Sequence, residues 1–304
     1  MAIVVETEST YDPIELAECL EKVSKTLVPE DQDSILSLAP VLKSLAANKR
    51  FLTDFLNGQL AKFMGGGKSS LYSPQSFILG GNGTTWTIRG NFWFPLAGAG
   101  TLASVQTSVF SYERPHNHNF SLLTVGWFGP GYETALWECD PASITGIPGE
   151  IVDLLSLGRE SLPSGKVLFY RPFRDVHIQY SPQKFSISLN LLVVPDSYRL
   201  MDQYIFDVET SRIVGVPDDL DGARRGSVME LLGYFGDDRT KELLFDIATS
   251  HPCRRTRLGA TRGLLLAGAG QAPKALETIA SSSDDFLRHY SRVLSADTFS
   301  SNSD

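Results

Sequence analysis

The sequence has few cysteines and no long uninterrupted apolar run, and each shortage excludes a class of protein. The three cysteines form no C-x-x-C pair and leave one unpaired in any disulfide scheme, so we expect neither a disulfide scaffold nor a cysteine-based zinc cluster. The first ten residues lack the basic start and apolar run of a signal peptide, and the most apolar later stretch is broken by Pro95 and glycines. We therefore expect a cytoplasmic protein without a membrane segment.

The chain also has fewer basic than acidic residues. The chain carries 27 Lys and Arg against 35 Asp and Glu, a net charge of −8, which argues against a nucleic-acid partner. Apolar residues make up 42% and charged residues 20% of the 304 positions. That composition is typical of a folded globular chain, and the length allows two or three domains.

The first 66 residues are predicted to be an N-terminal helical segment. Apolar residues recur at spacings of three and four from Tyr11 to Met64, the period of an amphipathic helix. The string "GGGKSS" at 65–70 then breaks the pattern. Its end resembles a phosphate-binding loop, but Lys62 stands where that motif has glycine, and a helix precedes it instead of a strand. We interpret the string as a flexible linker and expect no nucleotide cofactor.

The residue pattern of 67–210 is typical of a β domain. Short runs rich in β-branched and aromatic residues alternate with Gly, Pro and Asn, which predicts a β-barrel or sandwich. A small barrel has room for one small ligand in its interior. The predicted strands lie within 84–94, 104–112, 121–128, 133–139, 166–171, 175–180, 185–194 and 204–208.

Residues 215–300 return to a helical pattern that repeats itself. "RRGSVMELLGYFGDDRTKELLFDIA" is followed by "RRTRLGATRGLLLAGAGQAPKALETIA", so that Ala248 and Ala280 end equivalent stretches. The pattern resembles HEAT-like helical repeats, whose units bury their apolar faces against neighbouring units; an ordinary helical tail is the alternative. The sequence thus predicts an α+β multidomain protein, a central β-barrel or jelly roll flanked by an N-terminal helical segment and a C-terminal helical-repeat segment.

Two of the five histidines, His116 and His118, form an H-x-H motif after a proline. Alternate side chains of a strand point to one face, so both imidazoles can bind one metal ion. The motif alone is weak, but His177 lies in another predicted strand and offers a third ligand. His251 and His289 fall in the helical region, where we expect solvated or helix-end histidines.

These residues resemble the two motifs of the cupin superfamily, in which an H-x-H and a later histidine point into one barrel. Most cupins add a carboxylate four or five residues after the H-x-H, where this chain has Leu122 and Leu123. The resemblance is therefore to the three-histidine branch, the cysteine and thiol dioxygenases, and the string "GWFGPGYET" is similar to that family as well. It implies that His116, His118 and His177 bind one metal, with Fe(II) first among the divalent ions.

The same resemblance implies four substrate-binding residues. Arg89 lies where the family has an arginine that binds the substrate carboxylate, although a surface strand arginine is an alternative interpretation. The string "SISLN" resembles a segment in which the family carries Ser, His and Tyr on alternate positions. Ser188 is kept, but Asn190 and Leu192 replace the histidine and tyrosine. The resemblance therefore supports the metal-binding fold better than it supports cysteine as substrate.

Three neutral imidazoles leave up to three coordination positions of a metal open to water, substrate or oxygen. The leading hypothesis is a non-haem iron oxygenase that acts with O2 on a small carboxylate-bearing metabolite, such as an amino acid or a derivative. Two alternatives stay open: a non-catalytic metal-binding cupin that senses or scaffolds, or a redox-silent isomerase or lyase. The helical repeats could contact a protein partner or a second copy. Glu133 is a candidate general base if its strand turns it inward.

Overall fold

The computed structural model describes residues 3–64, 71–73, 75–96, 107, 109–217 and 220–300. The predicted linker at 65–70 lies outside these residues. The chain divides into two compact units, Met1–Pro141 with Asp153–Tyr198, and Ala142–Val152 with Arg199–Asp304. It is a mixed α/β protein with antiparallel sheets, and none of the helices in the described ranges is long and apolar enough to cross a membrane.

Four helices form near the N-terminus of the first unit. Cys19 and Val23 bury one face of the first helix, as the apolar spacing predicts. The stretch around 35–47 contains two helices instead of one continuous helix, because Pro40 has no amide proton to donate and is tolerated only in the first turn of a new helix. These helices are α1 Leu16–Thr26, α2 Gln32–Leu36, α3 Ala39–Ala47 and α4 Phe51–Met64.

Strands of the first unit form a seven-stranded sheet, ordered β1-β8-β5-β10-β4-β3-β2, and a three-stranded sheet, ordered β7-β6-β9. The second unit holds the β11-β12 pair. The strands are β1 Ile3–Val4, β2 Leu71–Ser73, β3 Ser76–Gly81, β4 Trp86–Trp93, β5 Ser121–Phe128, β6 Glu133–Glu138, β7 Leu155–Ser161, β8 Val167–Tyr170, β9 Asp175–Tyr180, β10 Ser186–Val193, β11 Ile205–Asp207 and β12 Arg212–Gly215.

One predicted strand is wrong in its described part. Within 104–112, the described residues Thr107, Val109 and Phe110 are helical, and residues 104–106 and 108 lie outside the described ranges. Ser111 and Glu113 then adopt positive φ angles of 53° and 59°. Such angles bend the chain out of the extended conformation that a strand requires.

Strand β10 contributes to two cores. Leu189 and Leu191 pack in an apolar cluster with the buried residues of α1 and α3. Ser188, Asn190 and Leu192 point the opposite way, because side chains alternate along a strand. Leu192 packs against a second cluster, formed by both sheets. The two sheets of the first unit therefore share a core, and every second residue of β10 faces it.

Of the barrel and the sandwich that the sequence allows, the closed barrel is wrong. Within the described residues the two sheets keep separate strand orders, whereas a barrel requires a continuous ladder around its circumference. The segment that leads into β5 pairs with β9 at two isolated bridges, Tyr112–Gln179 and His116–His177. The positive φ angles before and after Tyr112 prevent this segment from forming a full strand.

In its described residues the second unit contains five α-helices, and glycines set the distance between two of them. A Cβ atom added to Gly259 would collide with the backbone of Gly226, and one added to Gly263 would collide with the backbone of Met229. The two helix backbones are therefore in direct contact. The helices are α5 Asp221–Phe235, α6 Asp238–Ser250, α7 Arg254–Leu266, α8 Ala272–Ala280 and α9 Asp285–Ser300.

Candidate metal centre

Three histidines of the first unit converge on one point. His177 lies in the middle of β9, and His116 lies opposite it in an extended segment. The amide of His116 donates to the carbonyl of His177 at 3.1 Å, and the reverse bond measures 2.9 Å. The carbonyl of His118 accepts from the amide of Phe173 at 2.6 Å. His116 and His118 thus lie in a bridged segment instead of the regular strand expected from the sequence, and their rings still converge.

The imidazole nitrogens are close enough to share an ion. The Nε2 atom of His177 lies 3.2 Å from Nε2 of His116 and 3.0 Å from Nε2 of His118. The candidate ligand atoms of the three residues all lie within 4.8 Å of one another. Nitrogens bound about 2.1 Å from one metal ion are separated by roughly 3.0–3.4 Å in tetrahedral or octahedral geometry. The two separations from His177 Nε2 therefore fit ligands of one ion, and the 4.8 Å limit keeps all three candidate ligand atoms close together.

The environment favours neutral imidazoles, the form that binds metals. Burial lowers the pKa of His116 below its ordinary value of 6.5. Burial, with repulsion from His116, lowers the pKa of His177 well below that value. Nδ1 of His116 lies 2.7 Å from the carbonyl oxygen of Arg114, so Nδ1–H donates there and Nε2 keeps its lone pair for a metal. Nδ1 of His177 is buried without a hydrogen-bond partner.

Two aromatic rings outside the predicted site, those of Phe120 and Tyr170, line this centre. The Phe120 ring stacks on His118 at 4.2 Å between centroids, and the Tyr170 ring lies 4.7 Å from that of His177. Burial and the neighbouring Tyr132 raise the pKa of Tyr170 well above its ordinary value, so its hydroxyl stays protonated at neutral pH. Tyr170 lies in the predicted strand 166–171, but only the pairing of strands reveals its contact with His177.

The four predicted substrate-binding residues lie on the sheet face that carries Tyr170. Arg89 pairs in register with Asn190, and Leu192 pairs with Leu122, whose other neighbour is Tyr170. Burial raises the pKa of Tyr132, and the positive charge of Arg89 partly opposes that shift. Arg89 also lies on the same face of β4 as Trp93, because side chains alternate along a strand, and its Nε atom is buried.

A hydrogen-bonded row fixes Ser188 and Asn190. The indole Nε1 of Trp93 donates to Ser188 Oγ at 2.9 Å, and Ser188 Oγ donates to Oδ1 of Asn190 at 3.2 Å. Thr124 Oγ1 donates to the same oxygen. The oxygen atoms of Ser188 and Asn190 are thus engaged by the protein, and the amide orientation of Asn190 follows from its two hydroxyl donors.

Glu133 does not enter the centre. Its carboxylate pairs with Arg159, and its side chain is 49% exposed. It occupies the position on β6 next to Thr134, whose side chain is fully buried, and adjacent strand residues face opposite sides. His251, in the second unit, accepts a hydrogen bond from the amide of Cys253 through Nδ1 at 3.0 Å, as a helix-end histidine does.

Comparisons with known proteins leave the family of this chain open. No protein-family model matches the chain, and no curated protein is significantly similar to it. Solved structures similar to part of it include a DMSP lyase (14% identity, 43% of this chain and 52% of that chain, TM-score 0.24). A hydroquinone 1,2-dioxygenase from Sphingomonas sp. TTNP3 is 11% identical over 40% of this chain and 67% of that chain, with a TM-score of 0.27.

A salicylate 1,2-dioxygenase from Pseudaminobacter salicylatoxidans is 13% identical over 51% of this chain and 37% of that chain, with a TM-score of 0.26. The chain spans about half of the lyase and less of this dioxygenase. At such TM-scores these similarities carry no conclusion about fold or activity. The geometry of the three histidines stands independently of them.

Proposed function

We propose that the chain is a non-haem Fe(II) oxygenase that acts with O2 on a small carboxylate-bearing metabolite. One observation carries the proposal: the imidazoles of His116, His118 and His177 direct Nε2 atoms toward one point. A divalent ion with these ligands keeps its full +2 charge and up to three open positions. An anionic substrate that binds through two atoms would neutralise that charge and displace water.

The residues present fit a metal ion. Burial keeps two of the imidazoles neutral, and the Arg114 carbonyl fixes the tautomer of His116, which is the usual outer support of a metal-bound histidine. Iron in this set would supply the activation of dioxygen. The resemblance of the sequence to the three-histidine cupins supports the same assignment.

The surrounding side chains would bind and orient the substrate. Arg89 presents a planar guanidinium between the sheets, which suits a carboxylate. Phe120 and Leu192 supply apolar surface that excludes water, and Ser188 holds the amide of Asn190 in place. Tyr170, whose ring packs against His177, would offer its protonated hydroxyl as a hydrogen-bond donor in the same space.

The experiment that tests the proposal starts with metal analysis of protein prepared without added metal, followed by oxygen-uptake screening across amino acids, thiols and larger carboxylates. We expect about one iron per chain and oxygen uptake that disappears when zinc replaces iron. The His118→Ala protein should lose both, whereas the His289→Ala protein, changed outside the cluster, should keep both. Turnover without oxygen would instead indicate an isomerase or lyase, and bound metal without any turnover would indicate a sensor.

We further propose that residues 215–300 form a short array of HEAT-like repeats. Helices α5, α7 and α9 begin at Asp221, Arg254 and Asp285, and this regular spacing matches the period of the sequence repeat. Helix α7 packs on α5, α6 and α8 within the second unit, as expected where each unit buries its face against a neighbour.

A further inference from the structure

Asn91 on β4 is a buried amide whose carbonyl has no partner. The residue is 4% exposed, and its Oδ1 atom is buried without a hydrogen bond. Strict alternation along β4 places Asn91 on the face of Arg89 and Trp93, toward the three-stranded sheet. The Trp93 ring lies 4.5 Å from the ring of Tyr132, between centroids. The Asn91 side chain therefore enters the same inter-sheet space as the predicted substrate-binding residues.

The side chains of Trp93, Ser188 and Asn190 hydrogen-bond to one another, and none of these bonds reaches the side-chain carbonyl of Asn91. Ser188, its register partner on β10, accepts from Trp93 and donates to Asn190. A buried acceptor that loses its water without gaining a donor lowers the stability of the fold. An apolar side chain at this position would avoid that cost. The carbonyl is thus an unmet acceptor that a donor outside the polypeptide can satisfy.

We propose that Asn91 determines specificity by accepting a hydrogen bond from a hydroxyl or N–H group of the substrate. The inference rests on the proposed function, in which Arg89 holds the substrate carboxylate. Residues two apart on one strand face have Cα atoms roughly 7 Å apart. Arg89 and Asn91 would therefore bind two separate groups of the substrate. The substrate class is a carboxylate whose hydroxyl or N–H donor lies several bonds away from the carboxyl group.

The first test compares melting temperatures of full-length, metal-free proteins. Asn91→Leu should raise the melting temperature by about 3 °C, because it removes an unsatisfied buried polar group. The matched control is Asn48→Leu: the Asn48 amide donates to the Ile14 carbonyl and accepts from the amides of Arg50 and Phe51. That control should melt at a lower temperature. A decrease for Asn91→Leu as large as the control would overturn the inference, whether or not the protein binds metal.

The second test measures binding of two probes to the iron-loaded protein without oxygen. Wild type should bind 4-hydroxyphenylacetate at least about tenfold more tightly than phenylacetate, because only the former satisfies the acceptor. Asn91→Ala, which removes the acceptor without adding volume, should reduce that ratio to about one without weakening phenylacetate binding.

Metal content, measured in the same samples, separates this inference from the proposed function. Loss of iron from the wild-type protein would count against the proposed metal centre and not against the role of Asn91, which the melting temperatures of the metal-free proteins test. A wild-type ratio near one, or a ratio that persists in both Asn91 variants while iron is retained, would overturn the role of Asn91.

Discussion

His116 and His177 face each other across an antiparallel bridge, so that two backbone hydrogen bonds hold their Nε2 atoms 3.2 Å apart. The backbone thus fixes two of the three candidate ligands before any metal arrives. Sites arranged in advance bind their ion without a cost for ordering the ligands.

Acid should destabilise the metal-free protein. Burial lowers the pKa of His116 and His177 below 6.5. Below pH 6.5 these two imidazoles are therefore protonated in the unfolded chain while they stay neutral in the folded chain. Because the unfolded state then binds more protons, the free energy of unfolding falls as the pH drops below 6.5. Above pH 6.5 both states are neutral at these imidazoles, and the destabilisation is absent. Urea unfolding at pH 7.5, 6.5 and 5.5 measures the effect.

The His177→Gln protein is the control for this pH dependence. It should show a smaller loss of stability between pH 6.5 and 5.5, since one of the two buried titrating imidazoles is gone. Equal losses in wild type and variant would show that His177 is not held neutral by the fold.

Gly259→Ala should destabilise the helical region by about 2 kcal/mol, because the added methyl group meets the backbone of Gly226 and the helices must separate. Gly270→Ala is the matched control: no atom lies within 4 Å of the added Cβ, so its unfolding midpoint should change little. Denaturant unfolding measures both.

Metal content and turnover of folded Gly259→Ala protein should match wild type, because the helical region supplies no catalytic group in this account. Loss of turnover in fully folded, metal-loaded variant would contradict that assignment.

Free cysteine should be a poor substrate. Asn190 and Leu192 present an amide and an apolar side chain where the resembling dioxygenases have histidine and tyrosine, and an amide does not transfer protons at neutral pH. We expect a larger substrate with an apolar portion toward Leu192. Oxygen uptake with cysteine should give a kcat/KM below roughly 10⁴ M⁻¹s⁻¹, the lower end of ordinary enzymes; efficient conversion to the sulfinic acid would refute the prediction.

The sequence predicts the cluster of three histidines because each lies in a recognisable motif, and it predicts β4, β5, β9 and β10 from their β-branched and aromatic runs. It does not decide between a closed barrel and separate sheets, because positive φ angles at Ser111 and Glu113 depend on the tertiary fold. Tyr170 and Asn91 are not predicted as site residues for the same reason, which is that their roles depend on contacts between distant parts of the chain. Tyr170 touches His177 through the pairing of distant strands, and the unpaired carbonyl of Asn91 is defined by what its neighbours bind.

We propose that the three histidines hold one metal ion, and metal content per chain after gel filtration of the His177→Ala protein tests this most directly. Removing one of three ligands leaves a two-point site, so we predict that the variant loses at least about nine-tenths of its metal while His289→Ala retains it. Full metal retention in folded His177→Ala protein would contradict the account.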